Sequence, residues 1–329
     1  MRYSRVPTVF ALLFPLLLFA QSSMTPLQKP TGAKSSSLSS PSSVPPFDKL
    51  ELFAFLAAGP FPPYAAEAIQ KRGLDFVPND PFLLSDPFDP IRDALARVKP
   101  VKGKPMSAKR AEAFTHFSEA ANSIRNQQCT LAEPELYAAM RLAPESSTIH
   151  FSAAACQMFS HNWPAAEKEM RESLRLWPGN ADAHALLAYV LSNQGRTEET
   201  IPEAREALRI FPGHQGAVML LGMSLARVGR YAEAIPILQQ SAVLNKKVTY
   251  VEKMLGFSYL SNKQPAEAVE PLDQYIEADP EDAEAHFLLG TALRQLGRDD
   301  EARTQFSEAA RLDPQNQTYQ SVARPTENR

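Results

Sequence analysis

The chain has 329 residues, of which 44% are hydrophobic, so it is long enough for two or three domains or for one elongated array. Its formal net charge of −3 at pH 7 gives no overall basic character, which argues against a nucleic-acid-binding protein. The 28 prolines, against 13 glycines, favour helices with punctuated ends. Two cysteines are too few for a disulfide framework, and no CxxC pair occurs.

The first 22 residues, 1–22, have the pattern of a secretory signal peptide. Two arginines precede an apolar run at 9–20, which is too short for a membrane-spanning helix of roughly 20 residues. Small residues follow this run, so we expect cleavage after Ser22 or after Ala20. No other apolar stretch is long enough to cross a membrane. The mature protein is therefore expected to be secreted or periplasmic and to have no membrane span.

Three segments separate this signal from the rest of the chain. Residues 23–46 are rich in Ser and Pro and lack core-forming residues, which predicts a disordered, flexible linker. Residues 47–99 contain three helical apolar patterns punctuated by glycines and prolines, which predicts a small helical module. Its order of motifs resembles a small module that precedes repeat arrays in some secreted bacterial proteins. Residues 100–112 are predicted to be a linker that runs into the first helix of the next region.

A 34-residue period governs the chain after this module. Prolines recur at this step, with Lys246 at the one missing position, and alanines recur in the same frame, with Thr200 as the exception. The prolines are Pro144, Pro178, Pro212, Pro280 and Pro314, and the alanines are Ala132, Ala166, Ala234, Ala268 and Ala302. One helix pair cannot bury its apolar face alone, so successive pairs must stack.

This period, with a small alanine, a large residue four positions later and a closing proline, resembles the tetratricopeptide repeat family. The resemblance implies an all-α, right-handed superhelical solenoid of six helix-turn-helix repeats after the small helical module. The expected repeats are 113–146, 147–180, 181–214, 215–248, 249–282 and 283–316. Residues 317–329 are expected to form a C-terminal cap or tail. A left-handed turn is expected between the two helices of a repeat, at the position that holds His161, Gly195, Gly229, Lys263 and Gly297.

No residue pattern predicts catalysis, a cofactor or a metal site. HExxH, GxSxG and phosphate-binding glycine loops do not occur in the sequence. Four histidines share the fourth position of their repeats, but successive copies lie about one helix pair apart, too far to share one metal ion. We interpret these side chains as packed or half-exposed; they are His116, His150, His184 and His286.

The two cysteines, Cys129 and Cys156, belong to adjacent expected repeats. A location outside the cytoplasm would permit a disulfide. The repeat register, however, puts the two residues about one helical turn out of alignment. The sequence therefore leaves their pairing open and favours two independent thiols.

The family resemblance also implies where a partner would bind. In the family, the first helix of each repeat lines a concave groove, and its positions 2, 5, 9, 12 and 13 point there. Carried onto this chain, these positions give candidate partner-binding residues, which are Phe117, Phe151, Met158, Phe159, Tyr189, Asn193, Met219, Met223, Arg227, Tyr250, Lys253, Phe257, Phe287 and Arg294. Such a surface suits an amphipathic helix or an extended apolar peptide, with basic groups for a carboxylate. The alternative is that these residues are packed between repeats or covered by the module at 47–99.

The sequence therefore predicts a secreted, non-catalytic scaffold that binds a protein or peptide in its concave groove and needs no cofactor. The alternative is a periplasmic chaperone or assembly factor that holds apolar segments of envelope proteins transiently, which the methionines would permit. A third hypothesis, an enzyme with its site in 47–99, is weak because that segment contains no His or Cys. A repeat fold alone does not set function, so the partner and the oligomeric state stay open.

Overall fold

The computed structural model describes residues 44–57, 62–76, 106–126, 128–244 and 248–323. Within these ranges every regular element is an α-helix and no strand occurs, apart from one isolated bridge between Phe47 and Leu74. The expected signal peptide, nearly all of the Ser/Pro-rich linker and residues 77–99 of the small module lie outside the described residues. The prediction of an all-α repeat fold is confirmed.

The described ranges contain fifteen helices, of which α1 and α2 precede the repeats. They are α1 Lys49–Ala57, α2 Pro62–Arg72, α3 Ala108–Arg125, α4 Cys129–Leu142, α5 Ser147–Phe159, α6 Trp163–Leu176, α7 Ala181–Asn193, α8 Thr197–Ile210, α9 Gln215–Arg227, α10 Tyr231–Leu244, α11 Tyr250–Ser261, α12 Pro265–Ala278, α13 Ala283–Gln295, α14 Asp299–Leu312 and α15 Gln317–Ala323.

These helices form two compact units. The first unit contains α1 to α7 together with residues 209–212, and the second contains residues 195–208 and helices α9 to α15. In the first unit α3 packs on α4 and α5 packs on α6. In the second unit α9 packs on α10, α11 on α12 and α13 on α14. This packing of consecutive helix pairs is typical of a helical repeat protein.

The turn between the two helices of a repeat has a left-handed backbone, as the sequence predicts. Its φ angle is 76° at Gly195, 80° at Gly229 and 74° at Gly297. The non-glycine residues His161 and Lys263 adopt φ angles of 53° and 62° at the same position. Two backbone hydrogen bonds close the turns at His161, Gly229, Lys263 and Gly297 in the Schellman pattern. At Gly229 they run from the N–H of Gly229 to the carbonyl of Ala226 and from the N–H of Arg230 to the carbonyl of Leu225.

Small residues allow the two helices of a repeat to approach closely. The recurring alanine of the second helix is buried in five repeats, and Thr200, which replaces it in the remaining one, is also buried. On α11 of the second unit, a Cβ atom added to Gly256 would overlap the side chain of Leu272. One added to Gly290 would lie 2.8 Å from the ring of Phe306. The recurring small residues therefore mark the close contacts between the two helices of a repeat.

The last helix, α15, packs against α14 at the end of the second unit. The ring of Tyr319 lies 5.0 Å from that of Phe287, measured between centroids. The amide of Gln320 donates a hydrogen bond of 2.8 Å to the carbonyl of Ala310. A repeat array exposes the apolar side of its last helix pair unless something covers it, and α15 covers part of that side here.

Candidate functional site

Four of the candidate partner-binding residues in the first unit are buried. Phe117 has no exposed surface, and Phe151, Met158 and Tyr189 are only 6%, 2% and 4% exposed. These side chains are core residues in the structure, so the expectation that they line an open groove does not fit. Phe159 is half-buried.

Asn193, the last candidate of the first unit, is also half-buried. Its side-chain amide donates a hydrogen bond of 2.9 Å to the carbonyl of Tyr189 one turn earlier in α7. The side-chain amide of Asn193 is therefore already hydrogen-bonded within its own helix.

The chain's own helix α1 covers the first helix of the first repeat. The ring of Phe53 lies 4.9 Å from that of Phe114 and 6.0 Å from that of Phe117, between centroids. Leu50 and Ala54 join the same buried cluster. Of the two alternatives that the sequence leaves open, self-coverage therefore holds for Phe117.

A buried carboxylate fixes α1 on the start of α5. The hydroxyl groups of Ser146 and Ser147 both donate hydrogen bonds to the carboxylate of Glu51, which is buried. Ser146 is the N-cap residue of α5. A negative charge at a helix N-terminus is stabilised by the helix dipole, so Glu51 complements the first turn of α5.

Arg72, at the end of α2, neutralises this carboxylate. Two guanidinium nitrogens of Arg72 each lie 3.2 Å from Oε2 of Glu51. The guanidinium also stacks over the rings of Phe47 and Trp177, at 4.0 and 5.0 Å from their centroids. Burial lowers the pKa of Arg72, and the charge of Glu51 opposes this effect. The pair is a buried, aromatic-lined ion pair that joins α1, α2 and the end of α6.

Tyr64 of α2 anchors the same two helices to the start of α7. Its hydroxyl oxygen accepts a hydrogen bond of 2.8 Å from the N–H of Ala181 and donates one of 3.2 Å to the side chain of Asn180. Burial raises the pKa of Tyr64 well above its ordinary value. The helices α1 and α2 are thus held to α5 and α7 by buried polar groups as well as by apolar contacts.

Cys129 and Cys156 form a disulfide, with their Cα atoms 5.1 Å apart. The prediction of two independent thiols is therefore wrong. Cys129 is the first residue of α4, and Cys156 lies in the last turns of α5. Because a short loop makes α4 and α5 run in opposite directions, the start of one lies beside the end of the other. The comparison of repeat positions overlooked this reversal.

In the second unit, the candidate residues divide into a buried and an accessible group. Met219, Met223 and Lys253 are buried. The accessible group has half-buried aromatic rings beside exposed guanidinium groups, and we call it the second-unit face. Its members are Arg227, Tyr250, Phe257, Phe287 and Arg294.

The ammonium group of Lys253 is already paired within the chain. Its Nζ lies 2.7 Å from a carboxylate oxygen of Asp282 and 2.7 Å from one of Glu284. Burial alone would lower the pKa of Lys253, but Glu284 and Asp282 outweigh it and raise that pKa. Burial would raise the pKa of Asp282, and the hydrogen bond from Lys253 lowers it instead. The expectation that Lys253 orients a partner's carboxylate does not fit this pairing.

Neither carboxylate was a candidate at the sequence level. Asp282 is the N-cap residue of α13, and Tyr275 donates a second hydrogen bond to it at 2.8 Å. The available signal was their position at the start of α13, the first helix of the repeat after the one that carries Lys253. An acidic residue at a helix start also complements the helix dipole, so this signal does not by itself predict an ion pair with Lys253.

The aromatic rings of the second-unit face are held by neighbouring rings. Phe257 lies 5.7 Å from Tyr231, and Phe287 lies 5.8 Å from Phe306, between centroids. The guanidinium of Arg294 sits 4.9 Å from the centroid of Phe306. Such contacts reduce side-chain freedom before any ligand arrives, and pre-ordered side chains lower the entropic cost of binding.

A model of the tetratricopeptide repeat family matches residues 157–215, 194–247 and 253–317. The chain belongs to the tetratricopeptide repeat family. A search of curated protein sequences found no match.

Two solved structures share this fold. PilF of Pseudomonas aeruginosa is 18% identical with a TM-score of 0.53, over 65% of this chain and 98% of that one. YrrB, described as a TPR protein with an unusual peptide-binding site, is 19% identical with a TM-score of 0.53, over 57% of this chain and 96% of that one. At this identity the likeness shows the fold alone.

Tetratricopeptide repeat proteins are generally non-catalytic scaffolds, and this chain is a scaffold of the kind that mediates protein–protein interaction. Its class of partner is therefore a protein or peptide. Among the helices that the structure describes, none is long and apolar enough to span a lipid bilayer.

Proposed function

We propose that this tetratricopeptide repeat protein is a non-catalytic scaffold that binds a protein or peptide partner through the second-unit face, outside the cytoplasm. The observation that supports this choice is a contrast in accessibility. Most candidate side chains of the first unit are buried, whereas the second-unit face keeps aromatic rings and guanidinium groups at the surface.

The chemistry of the second-unit face favours a peptide with apolar or aromatic side chains next to an acidic group. Half-buried rings such as Phe257 and Phe287 offer flat apolar contact area. The exposed guanidinium groups of Arg227 and Arg294 suit a carboxylate, which arginine binds with two parallel hydrogen bonds. Lys253 has no part in this recognition because Asp282 and Glu284 already neutralise it.

Two features support a location outside the cytoplasm. Residues 1–22 have a signal-like sequence, and the disulfide between Cys129 and Cys156 is of a kind that persists in oxidising compartments. We expect the protein purified from cells that export it to begin after Ser22 or Ala20. Intact-mass measurement with and without thiol alkylation tests both points. A full-length mass with two alkylated thiols would contradict the proposed location.

The chaperone hypothesis receives less support from the structure. It relied on methionines as adaptable contact surface, but Met158, Met219 and Met223 are buried. A surface of pre-ordered aromatic rings fits one defined partner better than many transient ones.

A peptide selection tests the second-unit face without presupposing the partner. Random peptides displayed on phage are selected on the purified protein, and the affinity of the best peptide is then measured for two variants. The first variant, R227E with R294E, changes the second-unit face. The control, R175E with R303E, makes the same charge change on exposed arginines of α6 and α14.

We expect the first variant to lose at least about tenfold in affinity, which corresponds to about 1.4 kcal/mol, and the control to bind like the unaltered protein. Equal affinity for both variants would show that the selected peptides bind elsewhere and would remove the second-unit face as the proposed site. Failure to select any peptide would argue against peptide binding as the function.

A further inference from the structure

Three of the histidines at the fourth repeat position have a structural role that their hydrogen bonds explain. In each, Nε2 lies 3.0 to 3.1 Å from the carbonyl oxygen of the proline six residues earlier. The three pairs are His150 with Pro144, His184 with Pro178, and His286 with Pro280. These imidazoles tie the first helix of one repeat to the loop that precedes it.

The other ring nitrogen of two of these histidines is also occupied. Nδ1 of His150 lies 2.7 Å from a carboxylate oxygen of Glu169, and Nδ1 of His286 lies 2.7 Å from the amide oxygen of Gln305. Both partners lie 19 residues later, on the second helix of the same repeat. With both nitrogens engaged, these imidazoles have no lone pair available for a metal ion.

His116, in the first repeat, shares only half of this arrangement. Its Nδ1 lies 2.6 Å from Oε2 of Glu135, again 19 residues later. The residue six positions earlier is Arg110, which lies inside α3 and not in a loop. Nε2 of His116 accordingly has no hydrogen-bond partner within the part of the chain that the structure describes, and the side chain is only half-buried.

A second carboxylate, Glu119, stands one helical turn after His116 on α3. It is exposed and has no hydrogen bond or ion pair to any other described residue. One ligand atom each from His116, Glu119 and Glu135 lie within 4.8 Å of one another. The corresponding position of the second repeat holds Ala153, and that of the sixth holds Leu289. Three potential ligands therefore lie together in the first repeat. There His116 makes only one of the two ring-nitrogen contacts that His150 and His286 make.

We propose that His116, Glu119 and Glu135 bind one divalent transition-metal ion of the Zn²⁺ type, with water as the remaining ligand. An imidazole and two carboxylates are ligands that Zn²⁺ accepts, and three protein ligands with an open fourth position are common around it. Ligand atoms of a tetrahedral zinc site lie about 3.4 Å apart, from bond lengths of about 2.1 Å. The three side chains are half-buried or exposed, so small rotations bring them to that spacing.

The bound ion joins the two helices of the first repeat, because His116 and Glu119 belong to α3 and Glu135 belongs to α4. An ion that binds the folded state alone raises the temperature of unfolding as its concentration rises above Kd. Mg²⁺ does not replace it, because Mg²⁺ prefers an octahedral shell of oxygen ligands and retains its waters.

The test is a Co²⁺ titration of the purified, tag-free protein, followed by visible absorption, with Zn²⁺ and Mg²⁺ as competitors. The informative variant is E119Q, which removes the third ligand and keeps the pair of His116 and Glu135. The matched control is E112Q, an exposed position on the same helix with the same change of charge. A second control, H161N, removes an exposed imidazole elsewhere.

We expect one Co²⁺ per chain, displaced by Zn²⁺ and not by excess Mg²⁺, with a rise in the unfolding temperature. E119Q and H116Q should weaken binding by at least about tenfold, whereas E112Q and H161N should leave it unchanged. Absence of saturable binding would overturn the proposal. It would equally fail if E119Q and E112Q bound the ion alike, or if H161N abolished binding and H116Q did not.

Discussion

The two units differ in how far the first helices of their repeats are exposed. In the first unit, α1 packs on α3 and α5, and buried groups of α1 and α2 reach the starts of α5 and α7. In the second unit, aromatic rings and arginines on α9, α11 and α13 stay accessible. The fifth repeat position, for example, is buried at Phe117 and Phe151 in the first unit and half-buried at Phe287 in the second. A binding surface inferred from repeat positions holds only where no other segment of the chain covers it.

The buried charges of the two units differ in the same way. The pair of Glu51 and Arg72 fixes helices that lie outside the repeats to a repeat helix. Lys253, with Asp282 and Glu284, connects one repeat of the second unit to the next. In both units a charge that could have met a partner is neutralised within the chain.

The largest expected effect comes from breaking the buried ion pair of Arg72 and Glu51 in the first unit. Replacing Arg72 with Met leaves the buried carboxylate of Glu51 without its counter-charge, and a broken buried pair costs about 3–5 kcal/mol. We expect the free energy of unfolding of the first unit to fall by this amount in urea titrations, with faster hydrogen exchange in α1 and α2. The exposed pair of Arg175 and Glu172 gives the control, R175M, for which no measurable change in stability is expected. Equal effects of both variants would show that Arg72 does not hold α1 in place.

The disulfide is the next largest difference between the units. Cys129 and Cys156 are 27 residues apart in sequence, and a cross-link over a loop of this length contributes about 2–4 kcal/mol. The variant C129A with C156A should therefore lose stability in the first unit, as measured by urea unfolding. A reductant should destabilise the unaltered protein and leave this variant unchanged. Unaltered stability of the variant would argue that the native packing of α4 and α5 does not depend on the disulfide.

A third difference concerns the eighth position of the repeats, which holds Ala154 in the first unit and Gly256 in the second. A methyl group on Gly256 would overlap the side chain of Leu272, so G256A should cost about 1–3 kcal/mol through overpacking. The reverse change, A154G, adds no atoms and should cost about 1 kcal/mol through lost helix propensity. Thermal unfolding of both variants gives the comparison. A stabilised G256A would mean that the two helices separate without cost.

Local features of this fold follow from the sequence because they repeat. The period, the buried alanines and the left-handed turns at His161 and Lys263 each depend on neighbours within about 34 residues. The packing of α1 and α2 on the first unit involves residues outside the repeat period. The bond between Tyr64 and Ala181 joins residues 117 positions apart, and no periodic pattern specifies it. The burial of Phe117 likewise depends on α1, which lies outside the repeats.

The smallest expected effect concerns Glu252, which occupies the fourth repeat position that holds His150 in the first unit. The residue 19 positions later is Glu169 for His150 and Pro271 for Glu252, and proline has no side-chain group to bond. One carboxylate oxygen of Glu252 is consequently buried without a hydrogen-bond partner among the described residues. Burial raises the pKa of this carboxyl group.

Because the pKa of Glu252 is higher in the folded than in the unfolded chain, its ionisation opposes folding. The penalty is absent below the unfolded pKa of about 4.3, develops as the pH rises towards the folded pKa, and is fully present above it. We expect E252Q to stabilise the protein by about 1 kcal/mol at pH 7, and this advantage to vanish near pH 4, in urea titrations at both values. The control, E277Q, changes an exposed carboxylate on α12 and should have no such pH-dependent effect. An advantage of E252Q that is equal at both pH values would place its origin in packing and not in the buried charge, and the contrast with His150 would then be steric.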